Sequence, residues 1–157
     1  MEITVLGTAA AEGWPALFCE CGACAGARER AGRDLRKRTA YAVNGNTLVD
    51  FGPDAFWQAW EHGVDLTAVR HLLVTHSHAD HLNTVDLRWR RQGFSRVSGC
   101  LSVYGNARVR ERLAAELGEP VADCGIEFVL LEAGTPVQAG GLTVLPLAAN
   151  HAGPHEQ

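Results

Sequence analysis

Three imidazoles and a carboxylate fall within six consecutive positions: His76, His78, Asp80 and His81. Imidazole and carboxylate together suit zinc, manganese or iron. His76 and His78 are two residues apart, so extended backbone points both rings the same way. Asp80 and His81 stand where the chain must turn into the next element, from where they can face a second ion. Two ions about 3.5–4 Å apart can share an activated water and clamp a substrate oxygen. A helix beginning after His81 would add a dipole that favours an anionic substrate. The competing reading is a solvated histidine-rich loop in which Asp80 caps that helix. Three histidines and a carboxylate at the mouth of an apolar strand favour the metal.

His151 ends the apolar run VLPLAANH much as His76 follows HLLVT, and is a candidate further ligand. Asp50 closes TLVD and can orient a ligand histidine, or cap the turn at Gly52 and Pro53. His62 fits a favourable contact with a helix end. His71 opens a strand with no visible partner, and His155 lies in the tail. Cys19, Cys21 and Cys24 form C-x-C-x-x-C, a soft pocket suited to structural zinc, with no obvious fourth ligand nearby. A redox pair is the rival reading. A thioredoxin-like pair should open a helix after a strand, whereas these cysteines read as a loop. Cys100 and Cys124 read as core or strand-edge residues. Arg88, Arg90, Arg91 and Arg96 read as a solvated helix face rather than a phosphate site. GTAAAEG lacks the spacing of a nucleotide-binding loop.

The elements that must position these residues alternate. Strands are predicted over 2–7, 71–75, 101–105, 126–132 and 142–151, with a hairpin over 40–52 turning at Asn44 and Gly45. Helices are predicted over 53–63, over 82–92 with a stripe of Leu82, Val85 and Trp89, and over 106–120. In the first, Asp54 is the cap, Phe56 and Trp60 lie one turn apart, and Gly63 is the stop. In the third, Asn106 starts the helix, Gly118 stops it and Pro120 prevents its return. Alternation of this kind is an α/β pattern.

The chain has 157 residues, 46% hydrophobic and 20% charged, with net charge −4, which fits a single globular domain over 1–157. That charge, with no basic tract, argues against a dedicated nucleic-acid binder. No apolar run has the length of a membrane span, and the N-terminus lacks a basic signal region. These features lead us to expect a cytoplasmic protein with reduced thiols.

The order of H-x-H-x-D-H after LLVT, LVDFG at 48–52 and NH at 150–151 resembles the metallo-β-lactamase superfamily. Within it the chain is most similar to the branch containing the cyclic phosphodiesterase of phosphonate breakdown. Leu6 to Pro15, the cysteine cluster and LRW at 87–89 match that branch. The pyrroloquinoline quinone biosynthesis branch shares the cysteines and resembles the chain less. The resemblance implies an αββα sandwich, of which this chain carries the N-terminal half to two-thirds. It implies that His76, His78 and His151 hold one catalytic ion, Asp80 and His81 a second, both zinc or manganese, and the three cysteines a structural zinc. Asp80 would also serve as a proton shuttle. The family's later half supplies a bridging aspartate, a further histidine and the histidine that completes the zinc site. Without it one sheet face is expected to lie bare, inviting a completing chain or a homo-oligomer. The expected function is a metal-dependent hydrolase of a small phosphodiester, cyclic ones included. A non-catalytic metal-binding fragment and a thioesterase or glyoxalase-type hydrolase are the alternatives.

Overall fold

The computed structural model describes residues 1–118 and 121–151, so Pro120 and His155 lie outside the described residues. One six-stranded mixed sheet organises the chain: β1 Ile3–Gly7, β2 Ala40–Val43, β3 Thr47–Val49, β4 His71–Leu73, β5 Leu101–Gly105 and β6 Ile126–Leu130, ordered as numbered. β1, β2 and β3 pair antiparallel, and β3 to β6 pair parallel. The β2–β3 turn has φ of 51° at Asn44 and 72° at Gly45. Both are left-handed, as a type I′ turn requires.

The helices α1 Gly22–Arg30, α2 Ala55–His62, α3 Thr84–Leu87 and α4 Ala107–Leu117 connect these strands. α4 follows its sequence pattern closely. The Asn106 side chain accepts from Val109 N at 3.0 Å, and Val109, Leu113 and Leu117 are buried. They pack on the row Ala42, Leu48, Leu72, Val103 and Phe128, which the strand registers align across one face of the sheet. Such matched rows are how a period of two meets a period of 3.6.

The other two helices differ from expectation. α2 buries Ala55, Gln58 and Ala59, while Phe56 and Trp60 are 59% and 75% exposed. The close approach to β1 admits only small side chains and Gln58, whose amide donates to Arg38 O at 2.6 Å. Asp54 precedes α2 without a side-chain capping bond; its carboxylate takes Arg38 N and Nη1, each at 2.9 Å. The predicted helix over 82–92 is one turn of α3 followed by a 3₁₀ turn at Arg88–Arg90. Leu82, Thr84 and Leu87 are buried, whereas Val85 and Trp89 face outward.

The region 126–151 also departs from the reading. Two short strands, β7 Val137–Ala139 and β8 Leu142–Val144, form a separate hairpin, and residues 145–151 are irregular, so His151 does not end a strand. A Cβ at Gly140 would lie 2.3 Å from Thr47 Oγ1 and 2.9 Å from a His71 ring carbon. This hairpin therefore covers part of the sheet's second face, where Thr47 is buried. On that face Ile3 and Val5 of the β1 edge are 54% and 48% exposed, and Glu127 of β6 is exposed as well.

Leu113→Ala is expected to cost about 2–5 kcal/mol of stability, because it empties a fully enclosed site. Trp60→Ser should stay within about 0.5 kcal/mol of the parent. Urea denaturation of both variants checks the assignment of buried and outward faces.

Candidate metal centre

The histidine loop leaves the sheet at the C-terminal end of β4. Val74 N bonds Tyr104 O at 2.8 Å, which keeps the chain in register with β5 until Thr75. His81 N and Leu82 N then turn back onto His78 O at 3.0 and 2.9 Å. The turned loop lies along residues 50–52: Phe51 N donates to His81 O at 2.8 Å and Asn83 N to Phe51 O at 2.6 Å. A Cβ at Gly52 would sit 2.0 Å from Asp80 O, so glycine is what lets the two segments meet. From the other side Arg112 of α4 donates to Ser77 O.

This arrangement brings His76, His78 and His151 together. Nε2 of His151 lies 3.1 Å from Nε2 of His76 and 3.2 Å from Nδ1 of His78. Ligand nitrogens on one tetrahedral zinc, each about 2.0–2.1 Å from it, stand about 3.3 Å apart. The three nitrogens thus fit a single divalent ion. His81 is next to them, its ring centroid 4.2 Å from that of His76, and its Nε2 is 3.1 Å from Asp80 Oδ2. Those two atoms are a candidate pair of ligands for a second ion.

Asp50 anchors the site. It is 2% exposed and left-handed, with φ of 64°. Its carboxylate accepts from Thr75 N at 2.8 Å, from the Thr75 hydroxyl at 2.9 and 3.0 Å, and from His81 Nδ1 at 2.7 Å. The last of these bonds places Asp50 against a histidine of the metal loop. The hydrogen bond to Asp50 raises the pKa of His81 above the ordinary imidazole value. Burial, then the neighbouring His81, His151 and His78, lowers that of His76.

The cysteines lie at the start of α1, not in a plain loop. Their Sγ atoms fall within 4.8 Å of one another. Three thiolates on one zinc, with Zn–S of about 2.3 Å, would stand about 3.8 Å apart, so a modest contraction suffices. Cys21 is the N-cap, and the Cys24 N–H donation to its sulfur at 3.5 Å leads the lowering of its pKa to about 7. At Cys24 a hydrogen bond with the Ala16 backbone pulls down, but burial and the neighbouring cysteines outweigh it and push the thiol up. The helix start meets one condition of the redox reading. The other fails, because residues 11–18 before it form turns and β1 pairs antiparallel with β2.

Other predicted residues have structural partners. His71 Nδ1 meets the Tyr104 hydroxyl at 3.1 Å. Arg90 donates to the carbonyls of Gly99, Cys124 and Gly125 at 2.9–3.2 Å, Arg91 to Leu117 O, and Arg88 pairs with Glu116. These three arginines tie the segment after α3 to α4 and the residues before β6, rather than forming a solvated face. Thr75 and Arg112 escaped the sequence reading, and Gly52 entered it only as a turn residue. Only their positions, Thr75 and Gly52 next to or within recognised motifs, could have signalled them.

A family model described as beta-lactamase superfamily domain matches residues 45–157. The chain belongs to this family. Among solved structures, zinc-bound PqqB from Methylobacterium extorquens superposes with a TM-score of 0.74 at 19% identity, over 94% of this chain and 56% of its own. A diphosphatase from the PhnP family gives 0.66 at 26% identity, over 90% and 54%. The metallo-β-lactamase fold protein YhfI from Bacillus subtilis gives 0.60 at 17%, over 91% and 51%. The chain thus spans about half the length of each. No match is found among curated proteins. PqqB has the higher TM-score of the first two and the diphosphatase the higher identity. This family member carries the metallo-β-lactamase fold in part. Among its described residues no helix is long and apolar enough to cross a membrane.

In metal-free protein, NMR titration should place the His81 midpoint above, and the His76 midpoint below, the ordinary imidazole value of about 6.5. Asp50→Asn should bring His81 back down. The His81 contribution to stability is present below about pH 6.5 and fades as pH rises through its folded pKa. His76 acts in the opposite sense: stability falls as pH drops below about 6.5, because the unfolded chain takes the proton more readily. In the zinc-free protein, iodoacetamide should alkylate Cys21 with a midpoint near its pKa of about 7, well ahead of buried Cys24.

Proposed function

We propose that the chain carries the metal-binding part of a metal-dependent hydrolase whose substrate is a small phosphodiester. The observation that carries this reading is the meeting of the His76, His78 and His151 nitrogens at 3.1–3.2 Å. Neutral imidazoles pointed at one another need a shared proton or a shared cation, and the donor set fits zinc or manganese. Asp80 and His81 are the proposed ligands of a second ion, and Cys19, Cys21 and Cys24 those of a structural zinc. Similarity to the diphosphatase, at 26% identity, supports phosphorus rather than carbon as the centre attacked.

Bound divalent ions lower the pKa of water toward neutrality and draw off charge developing on a substrate's oxygens. The chain's own groups do the rest. Asp50 holds the His81 ring, so Nε2 of that ring stays directed at Asp80. The main-chain carbonyl of Asp80 lies against Gly52, which fixes the residue's place, and the second carboxylate oxygen can take a proton from the attacking water and pass it to the leaving alkoxide. Hydrogen bonds from Phe51 and Asn83 restrain the loop, which limits the reorganisation required during reaction.

A second reading, a metal-binding but non-catalytic unit, has support in the ligand count. Among the described residues only Asp80 and His81 stand at the second position, while three nitrogens meet at the first.

Metal content and turnover separate these readings. Zinc- or manganese-loaded protein should hydrolyse bis(4-nitrophenyl) phosphate. His78→Ala should lose catalytic metal and Cys21→Ser the structural zinc, each by elemental analysis. Asp80→Asn should lower turnover by roughly 100-fold or more. One loosely held ion with no turnover supports the non-catalytic reading, and turnover of thioesters alone moves the reaction to a carbonyl centre.

A further inference from the structure

Between the Asp50 carboxylate and the His76 ring stands one hydroxyl, that of Thr75. Thr75 Oγ1 is 2.9 and 3.0 Å from the two oxygens of Asp50 and 3.0 Å from His76 Nδ1. A hydroxyl has one proton to give and lone pairs with which to accept. A carboxylate can only accept, so the Thr75 proton goes to Asp50. Were it to go to His76 instead, the threonine oxygen would face two carboxylate oxygens with no proton between them. His76 Nδ1 must then be the donor to Thr75, which leaves the Nε2 lone pair free. That Nε2 is the atom 3.1 Å from His151.

We infer that Thr75 is a positioning residue which passes the influence of Asp50 on to His76, holding that ring in its Nδ1–H tautomer with Nε2 toward the ligand cluster. This rests on the proposed metal site and adds to it. One buried carboxylate orients two rings: His81 by a direct bond of 2.7 Å and His76 through the threonine. Outer partners of this kind fix the tautomer and basicity of a ligand histidine. The backbone N–H of Thr75 also donates to Asp50 at 2.8 Å, so removing the hydroxyl alone keeps the main-chain link. Valine matches threonine in shape and lacks only the oxygen's hydrogen bonds.

The test uses the full chain labelled with ¹⁵N-histidine, free of metal and at alkaline pH, where imidazoles are neutral. Long-range ¹H–¹⁵N correlation spectra distinguish the two tautomers. His76 is expected to carry its proton on Nδ1 in the parent and in Thr75→Ser, and to populate the Nε2–H form in Thr75→Val. Zinc titration calorimetry, in a Cys21→Ser background so that the histidine cluster reports, should show roughly 10–100-fold weaker binding for Thr75→Val and near-parent affinity for Thr75→Ser. A proton on Nε2 of His76 in the parent overturns the inference. So does an unchanged tautomer in Thr75→Val, or Thr75→Ser binding as weakly as Thr75→Val. If Thr75→Val does not fold, the parent and serine spectra decide. If the parent's histidine cluster takes no zinc, the metal reading falls, while the tautomer spectra still judge the relay by themselves.

Discussion

A carboxylate sealed from water must be matched by hydrogen-bond donors, and in this molecule three such donors come from two separate residues. Asp50 sits past the end of β3 in a left-handed conformation, and its own N–H bonds Leu73 O at 2.8 Å. Its oxygens collect the main chain and hydroxyl of Thr75, past the end of β4, and the ring of His81, at the far end of the metal loop. Parallel neighbours β3 and β4 deliver both strand ends to the same edge, which is where crevices open in sheets of this kind. Aspartate tolerates the left-handed region better than most residues, so the backbone there is only moderately strained.

The loop's geometry follows from that knot. With His81 held by Asp50 and Asp80 packed on Gly52, the backbone from 76 to 81 has little freedom, and its rings must converge. The surroundings add restraint of a different sort. Arg112 holds the loop's outer side, and Arg88, Arg90 and Arg91 fasten the following turn to α4 and to the carbonyls before β6. Charge is used here as a staple between elements.

The same economy shows on the outside. Phe56, Trp57 and Trp60 face outward from α2, because the small residues Ala55 and Ala59 are what the approach to β1 accepts. Amphipathic spacing marked this helix correctly but named the wrong side, since two stripes of similar length compete and only the neighbouring strand chooses between them. Val85 and Trp89 fail for a related reason. The helix shortens to a single turn before a 3₁₀ turn, so a stripe counted at 3.6 residues per turn drifts off the buried side.

What the sequence determined by itself is local: the Asn44–Gly45 turn, the capped α4 and its buried stripe, and the spacing that sets His76 and His78 side by side. Backbone preferences and side-chain caps act over a few residues, so they are legible in a few residues. Tertiary structure decided the rest. The 75-residue gap to His151 closes only because the β7–β8 hairpin turns back over the sheet's second face. The cysteines become a helix start only once α1 forms, and Asp50 finds Thr75 and His81 only when two parallel strands end together. Such meetings depend on which surfaces bury each other, and that choice is made by the whole chain rather than by any stretch of it.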